Sequence, residues 1–201
     1  MDTSRWMQAG LGVVLALIFS STIAAAQSVK VQTVTKYYSV SGSSPAQLAR
    51  SMSRNGPYSR AHRARAWATA SRDMRYQVFR KRRNGRCVVT GAAVRSKIEY
   101  RLPRVRNERR LTPRTRRTWR SMVGLLTKHE RTHGRYYRQL AYRTQKALRR
   151  IRSARTCSEV DRRARVLVER LSEEDRLRNL RFDQRDRRNY SRMTRLTRRT
   201  S

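Results

Sequence analysis

The chain is short of histidine, cysteine and acid. Three histidines, two cysteines and thirteen acidic residues are spread over 201 positions. With so few histidines, two that stand in register are hard to ascribe to chance. Two cysteines allow one disulfide at most. Long apolar runs are also scarce. The only one is Leu11–Phe19, about half the length that a membrane span requires. The chain after it therefore has no stretch that could cross a membrane as a helix. No internal repeat and no recognised nucleic-acid-binding motif is visible.

Arginine is what the chain has in excess. Fifty basic residues face thirteen acidic ones, a formal charge of +37. Such a surface attracts polyanions unless salt screens it, and nucleic acid, anionic lipid and lipopolysaccharide all qualify. The arginines run along the whole chain instead of gathering in one arm, as they would on a merely solvated basic surface.

The first 26 residues read as an export signal. Arg5 supplies the positive start, Leu11–Phe19 the apolar core, and Ala24-Ala25-Ala26 the small residues before a cut at Gln27. A periplasmic or secreted protein is the expectation. In such a compartment Cys87 and Cys157 would form a disulfide.

Two of the three histidines spell H-E-x-x-H: His129, Glu130 and His133. They lie in Trp119–Ile151, where Trp119, Met122, Leu126, Tyr136, Tyr137, Leu140, Ala147, Leu148 and Ile151 recur at helical steps. Four residues make about one helical turn, so both imidazoles leave one face. That arrangement suits two zinc ligands, with Glu130 as general base for a water on the metal.

The rest of the chain reads as α+β: a small antiparallel sheet packed with the long H-E-x-x-H helix and C-terminal helices, zincin-like in layout. Val29–Val40 is a strand by its β-branched and aromatic content. Ser44 caps a short helix, Pro45–Arg54. Trp67–Arg80 and Arg86–Leu102 are strands joined through Asn84-Gly85, the second interrupted near Gly91 and stopped at Leu102-Pro103. Thr112-Pro113 opens the long helix, which breaks over Arg152–Thr156. Ser158–Leu171 is a further helix, and Ser172-Glu173-Glu174-Asp175 starts another that runs towards Tyr190. One domain over residues 27–190, then a basic mobile tail over 191–201, is the expected organisation.

A catalytic zinc takes three protein ligands and a water. His62 sits in an arginine-rich loop, where exposure is the ordinary state. The candidate third ligands are Glu159, Asp183 and Asp186, with Asp161 behind them. Each is an acid among arginines, where solvated ion pairs are common. Tyr136, Tyr137 and Tyr190 are candidates to polarise a substrate carbonyl.

The order of these features resembles the bacterial predicted secreted zinc-dependent proteases, the domain-of-unknown-function 922 family. It rests on Tyr37-Tyr38-Ser39-Val40-Ser41-Gly42, Trp67, Cys87, Leu102-Pro103, Trp119, the motif His129-Glu130-Arg131-Thr132-His133, and Cys157. The resemblance implies an exported zinc peptidase-like domain acting on a peptide or protein substrate. It also implies an aromatic-Asp pair, then Thr, then His-Gly in the last helix. Here Phe182-Asp183 keeps the pair, but Asp186 stands in the Thr slot, Arg188 in the His slot and Asn189 in the Gly slot. An arginine against zinc would repel it. The alternative reading is thus a catalytically degenerate relative that binds anionic envelope components through its arginines.

Overall fold

The turn at Asn84-Gly85 sets the sheet. Both residues have positive φ, 50° and 71°, as a two-residue type I′ hairpin requires. They join β4 (Thr69–Arg83) to β5 (Arg86–Val105) as an antiparallel pair. The computed structural model describes residues 28–59 and 63–198; the expected export signal lies outside them. At Gly91 the strand bulges without breaking. Gly91 faces Phe79 and Val89 faces Arg80, which leaves Thr90 with no partner on β4.

The sheet is mixed, not antiparallel throughout. β1 (Val29–Val40) pairs with β5 along its whole length and runs parallel to it, in the order β1-β5-β4. The chain passes from β1 through α1 (Pro45–Asn55) and the short antiparallel pair β2 (Tyr58–Ser59) and β3 (Ala64–Arg65) before it enters β4. The hairpin partner β5 then fills the place between β1 and β4. Hairpin chemistry is local, whereas the neighbour of β1 depends on this crossover. β5 also runs through Pro103 to Val105, beyond the last β4 pair at Arg101. There β5 has a partner on one side only, and a missing N–H is tolerated.

Caps explain the helix starts. Ser44 accepts from Gln47 N–H while the Gln47 side chain reaches back, a capping box with Pro45 in the first turn. Thr112 caps α2 (Pro113–Leu148) by accepting from Thr115 N–H, again with proline following. α3 spans Cys157–Arg185 without a break, capped by Thr156. The acids that read as a fresh start have partners instead. Glu173 pairs with Arg176, Glu174 with Arg143, and Asp175 is buried near Arg72. α4 (Arg187–Arg198) covers most of the stretch expected to be a tail. The break before Cys157 contains β6 (Ser153–Ala154), which pairs with Cys87-Val88. Two residues carry no periodicity from which to read a strand.

α2 crosses the sheet and touches two separate apolar clusters. Its first half, through Trp119, Met122 and Leu126, packs with Val40, Leu48 and Met52. Its last part, from Ala141 to Leu148, packs with Val78, Val94, Val160 and Ala164. The H-E-x-x-H turn falls between the two. Held by apolar contacts at both ends, the middle of α2 can carry polar side chains in fixed positions.

Cys87 and Cys157 are joined, with Cα atoms 5.1 Å apart across 70 residues of sequence. The bond ties β5 to the first turn of α3, beside the second cluster. Loop entropy assigns such a link about 4 kcal/mol. The double substitution Cys87→Ser, Cys157→Ser is expected to lower unfolding free energy by about that amount in a denaturant titration.

Candidate metal centre

His129 and His133 project from α2 towards the C-terminal half of α3. That face of α3 presents Asp175, Asn179, Asp183 and Asp186, at steps of four, four and three. Three donor atoms converge where the helices meet. Nε2 of His129 and Nε2 of His133 are 3.1 Å apart, and Asp183 Oδ1 lies 3.3 and 2.9 Å from them. Ligands of a tetrahedral zinc stand about 3.4 Å apart for bonds near 2.1 Å. The triangle is therefore close to what that ion would require.

The outer nitrogens decide which tautomers face this point. The Asn179 amide nitrogen donates to Asp175 O and Asp175 Oδ2, at 2.7 and 3.2 Å. Asn179 Oδ1 is left to accept from His133 Nδ1, 2.5 Å away. On the other ring, Nδ1 of His129 lies 2.7 Å from Asp186 Oδ2. Each neutral ring thus carries its proton on Nδ1 and turns the Nε2 lone pair inward. Two imidazole lone pairs and a carboxylate oxygen in one small volume need a cation or protons between them. The donor set fits a divalent metal of borderline softness such as zinc.

Without a metal, protons serve. Burial opposes the imidazolium of His129, but the Asp183 and Asp186 carboxylates outweigh it and raise the ring to about 9. His133 is raised as well, again against burial, by Asp183 and Asn179. A metal entering this point at neutral pH would have to expel a proton. The sign follows: below about pH 9 the proton competes, so metal affinity should climb from pH 6 towards pH 9 and then flatten. Titrating zinc against a competing chelator at several pH values measures this.

Glu130 is 6% exposed. Burial raises its carboxyl, while the two imidazoles and a hydrogen bond from the Ala70 backbone pull it back. Ala70 belongs to β4, the edge of the sheet, and its carbonyl oxygen accepts from Tyr137 Oη at 3.4 Å. Glu130, His129, His133 and Asp183 all line one cleft of about 660 Å³, together with Ala68, Arg72 and Leu180. Phe182 closes the opposite side. Its ring lies 4.8 Å from His129 and 5.1 Å from His133, tilted on one and edge-on to the other. Gly134 lets Tyr100 approach α2, since a Cβ there would meet Tyr100 Oη at 1.7 Å.

Of the three candidate third ligands, the structure brings two near the histidines and assigns them different places. Asp183 faces the inner nitrogens. Asp186 holds His129 from outside and also accepts from Asn189 at 2.6 Å. Glu159 stands away from the histidines. It lies 24 residues before Asp183 on one continuous helix, about 36 Å along the axis. There it accepts from Arg155 N–H and pairs with Arg163, part of the cap of α3. Asp161 pairs with Arg80 at 2.8 Å. Arg188 is exposed and does not line the cleft, whereas Arg187 beside it does. His62 lies outside the described residues, as does the Tyr190 side chain. Tyr136 packs under the Arg178 guanidinium, 3.8 Å from its ring centre. Asn179 escaped the sequence reading, although its place one turn before Asp183 marks the same helix face.

Residues 35–190 match the family model of bacterial proteins of unknown function, DUF922. The match spans more than half of the chain. This chain belongs to the DUF922 family. No curated protein and no solved structure matches it. The DUF922 match covers every residue of the candidate centre, from Ala70 on β4 to Asp186 at the end of α3. Among the described residues of this DUF922 protein, no helix is long and apolar enough to cross a membrane.

Proposed function

We propose that this protein is an exported zinc-dependent metallopeptidase, with His129, His133 and Asp183 as metal ligands and Glu130 as general acid-base. The observation that carries the reading is the convergence of three inward-facing donor atoms next to a buried glutamate, in a cleft with room for a peptide. The disulfide and the export signal read from the first 26 residues support the compartment.

A bound zinc would supply Lewis acidity, which lowers the pKa of a water and polarises a carbonyl. The chain's own groups do the rest. Glu130, raised by burial, takes a proton from the attacking water and returns it to the leaving amine. Asp186 and Asn179 hold the two imidazoles in the tautomer that binds metal. Phe182 and Leu180 limit water at the ligand side. Tyr137 is held near the upper end of its range, at about 12, chiefly by burial. It stays a neutral donor at working pH.

Metal content tests the reading. Elemental analysis of the chain from Gln27 should find about one zinc per molecule, and none in His129→Ala. Absence of zinc from both after attempted reconstitution would sink the proposal.

A further inference from the structure

The outward face of the sheet carries a second feature, unrelated to the cleft. Register places Lys30 of β1, Arg95 of β5 and Arg75 of β4 side by side across the three strands. Lys97 stands one outward position further along β5. All four side chains are exposed. Like charges directly opposite one another destabilise a sheet, and here three stand in a row.

The rest of this face handles its charge differently. Glu99, the next outward residue of β5 after Lys97, accepts from Lys36 at 2.7 Å and from Arg101 at 2.8 Å. It neutralises the neighbouring rows. Among the described residues, the acid of this patch is Asp73, which stands opposite Lys97 in the register and 3.7 Å from Arg75. Both members of that pair are largely exposed, 64% and 84%, so it offsets little. The four cations and Asp73 rim a shallow depression of about 430 Å³. At strand spacings of about 4.8 Å the row spans roughly 10 Å, and Lys97 lies about 7 Å along the strand. The patch is compact and two-dimensional.

We infer that this patch is a binding site for a compact, multiply charged phosphate group, its cations held in mutual repulsion until the anion binds. The inference is independent of the proposed peptidase reading. The phosphate could be free or carried on a lipid headgroup, and the test separates the two.

A chain with a charge of +37 binds anions everywhere, so the control matters. The patch variant is Lys30→Gln, Arg95→Gln, Lys97→Gln. The control is Arg114→Gln, Arg117→Gln, Arg165→Gln, which removes the same charge from exposed helix positions. Tripolyphosphate is titrated calorimetrically into both and into the unaltered chain. The patch variant should lose affinity about tenfold or more, and the control about twofold or less. In low salt without ligand, the patch variant should melt at a higher temperature than the unaltered chain, because the repulsion is gone. Tripolyphosphate should then raise the melting temperature of the unaltered chain and leave the patch variant unmoved. Zinc content should be equal in all three. In a parallel arm, phosphatidylcholine vesicles with and without phosphatidic acid are sedimented with each chain. Acid-dependent sedimentation that fails only in the patch variant identifies the lipid source. Sedimentation in none, beside tripolyphosphate binding that needs the patch, identifies the free anion. Equal losses in patch and control variants, in both arms, overturn the inference.

Discussion

Asp183→Ala should cost zinc affinity well beyond the roughly 100-fold at the top of the range for outer-sphere changes, while Glu159→Ala should cost none. The two residues are both acids on one arginine-rich helix. Only Asp183 sits at the point where the two Nε2 atoms meet, 2.9 and 3.3 Å away. Removing it leaves two imidazoles and no anionic donor in the triangle to offset the cation. Asp186→Asn makes the internal comparison. It keeps a hydrogen-bond acceptor near His129 Nδ1 but removes the charge, so it belongs in the range of about 10- to 100-fold. Competition titration with a chelator of known affinity ranks all three variants. An unchanged affinity in Asp183→Ala would contradict the assignment of the third ligand.

Glu130→Gln should retain zinc and lose peptide hydrolysis by about 10²- to 10⁴-fold. The amide fills the same volume and can still meet the Ala70 backbone, through its carbonyl oxygen, so the fold has little reason to change. What it cannot do is accept a proton from water. Glu130 is no part of the donor triangle, which is why metal and turnover separate in this variant. Turnover equal to the unaltered chain would remove Glu130 from the mechanism. The alternative, a degenerate relative that binds anionic envelope components through its arginines, would then gain, since it tolerates the change.

Several parts of this architecture were legible in the residues because they rest on local chemistry. Ser44-Pro45 and Thr112-Pro113 start helices through side-chain oxygens that cap nearby N–H groups. Asn84-Gly85 turns the chain because both residues accept positive φ. His129, Glu130 and His133 share a helix face by the 3.6-residue period alone. The disulfide partners were the only two cysteines.

Other parts were not legible, for reasons that can be named. The run Ser172–Asp175 has the composition of a helix start, yet α3 passes straight through it. Partners distant in sequence, Arg143 and Arg72, take up two of its carboxylates. Pro103 reads as a stop only if both edges of β5 are paired, and there one is free. β6 is two residues long and exists because Cys87-Val88 offers an edge.

By itself the sequence determined which side chains could do chemistry and which helix carries two of them, since spacing along one helix needs no other element. It also determined the one possible disulfide. Only the tertiary structure decided the parallel seat of β1, which of Glu159, Asp183 and Asp186 stands beside both Nε2 atoms, and the contact of Asn179 with His133. These depend on how α3 lies against α2, over separations of 46 to 57 residues. α2 and α3 meet in the second apolar cluster, Ala141 and Leu148 with Val160 and Ala164, and that packing sets the approach. The polar residues between them meet where the packing places them, and no local pattern records the distance.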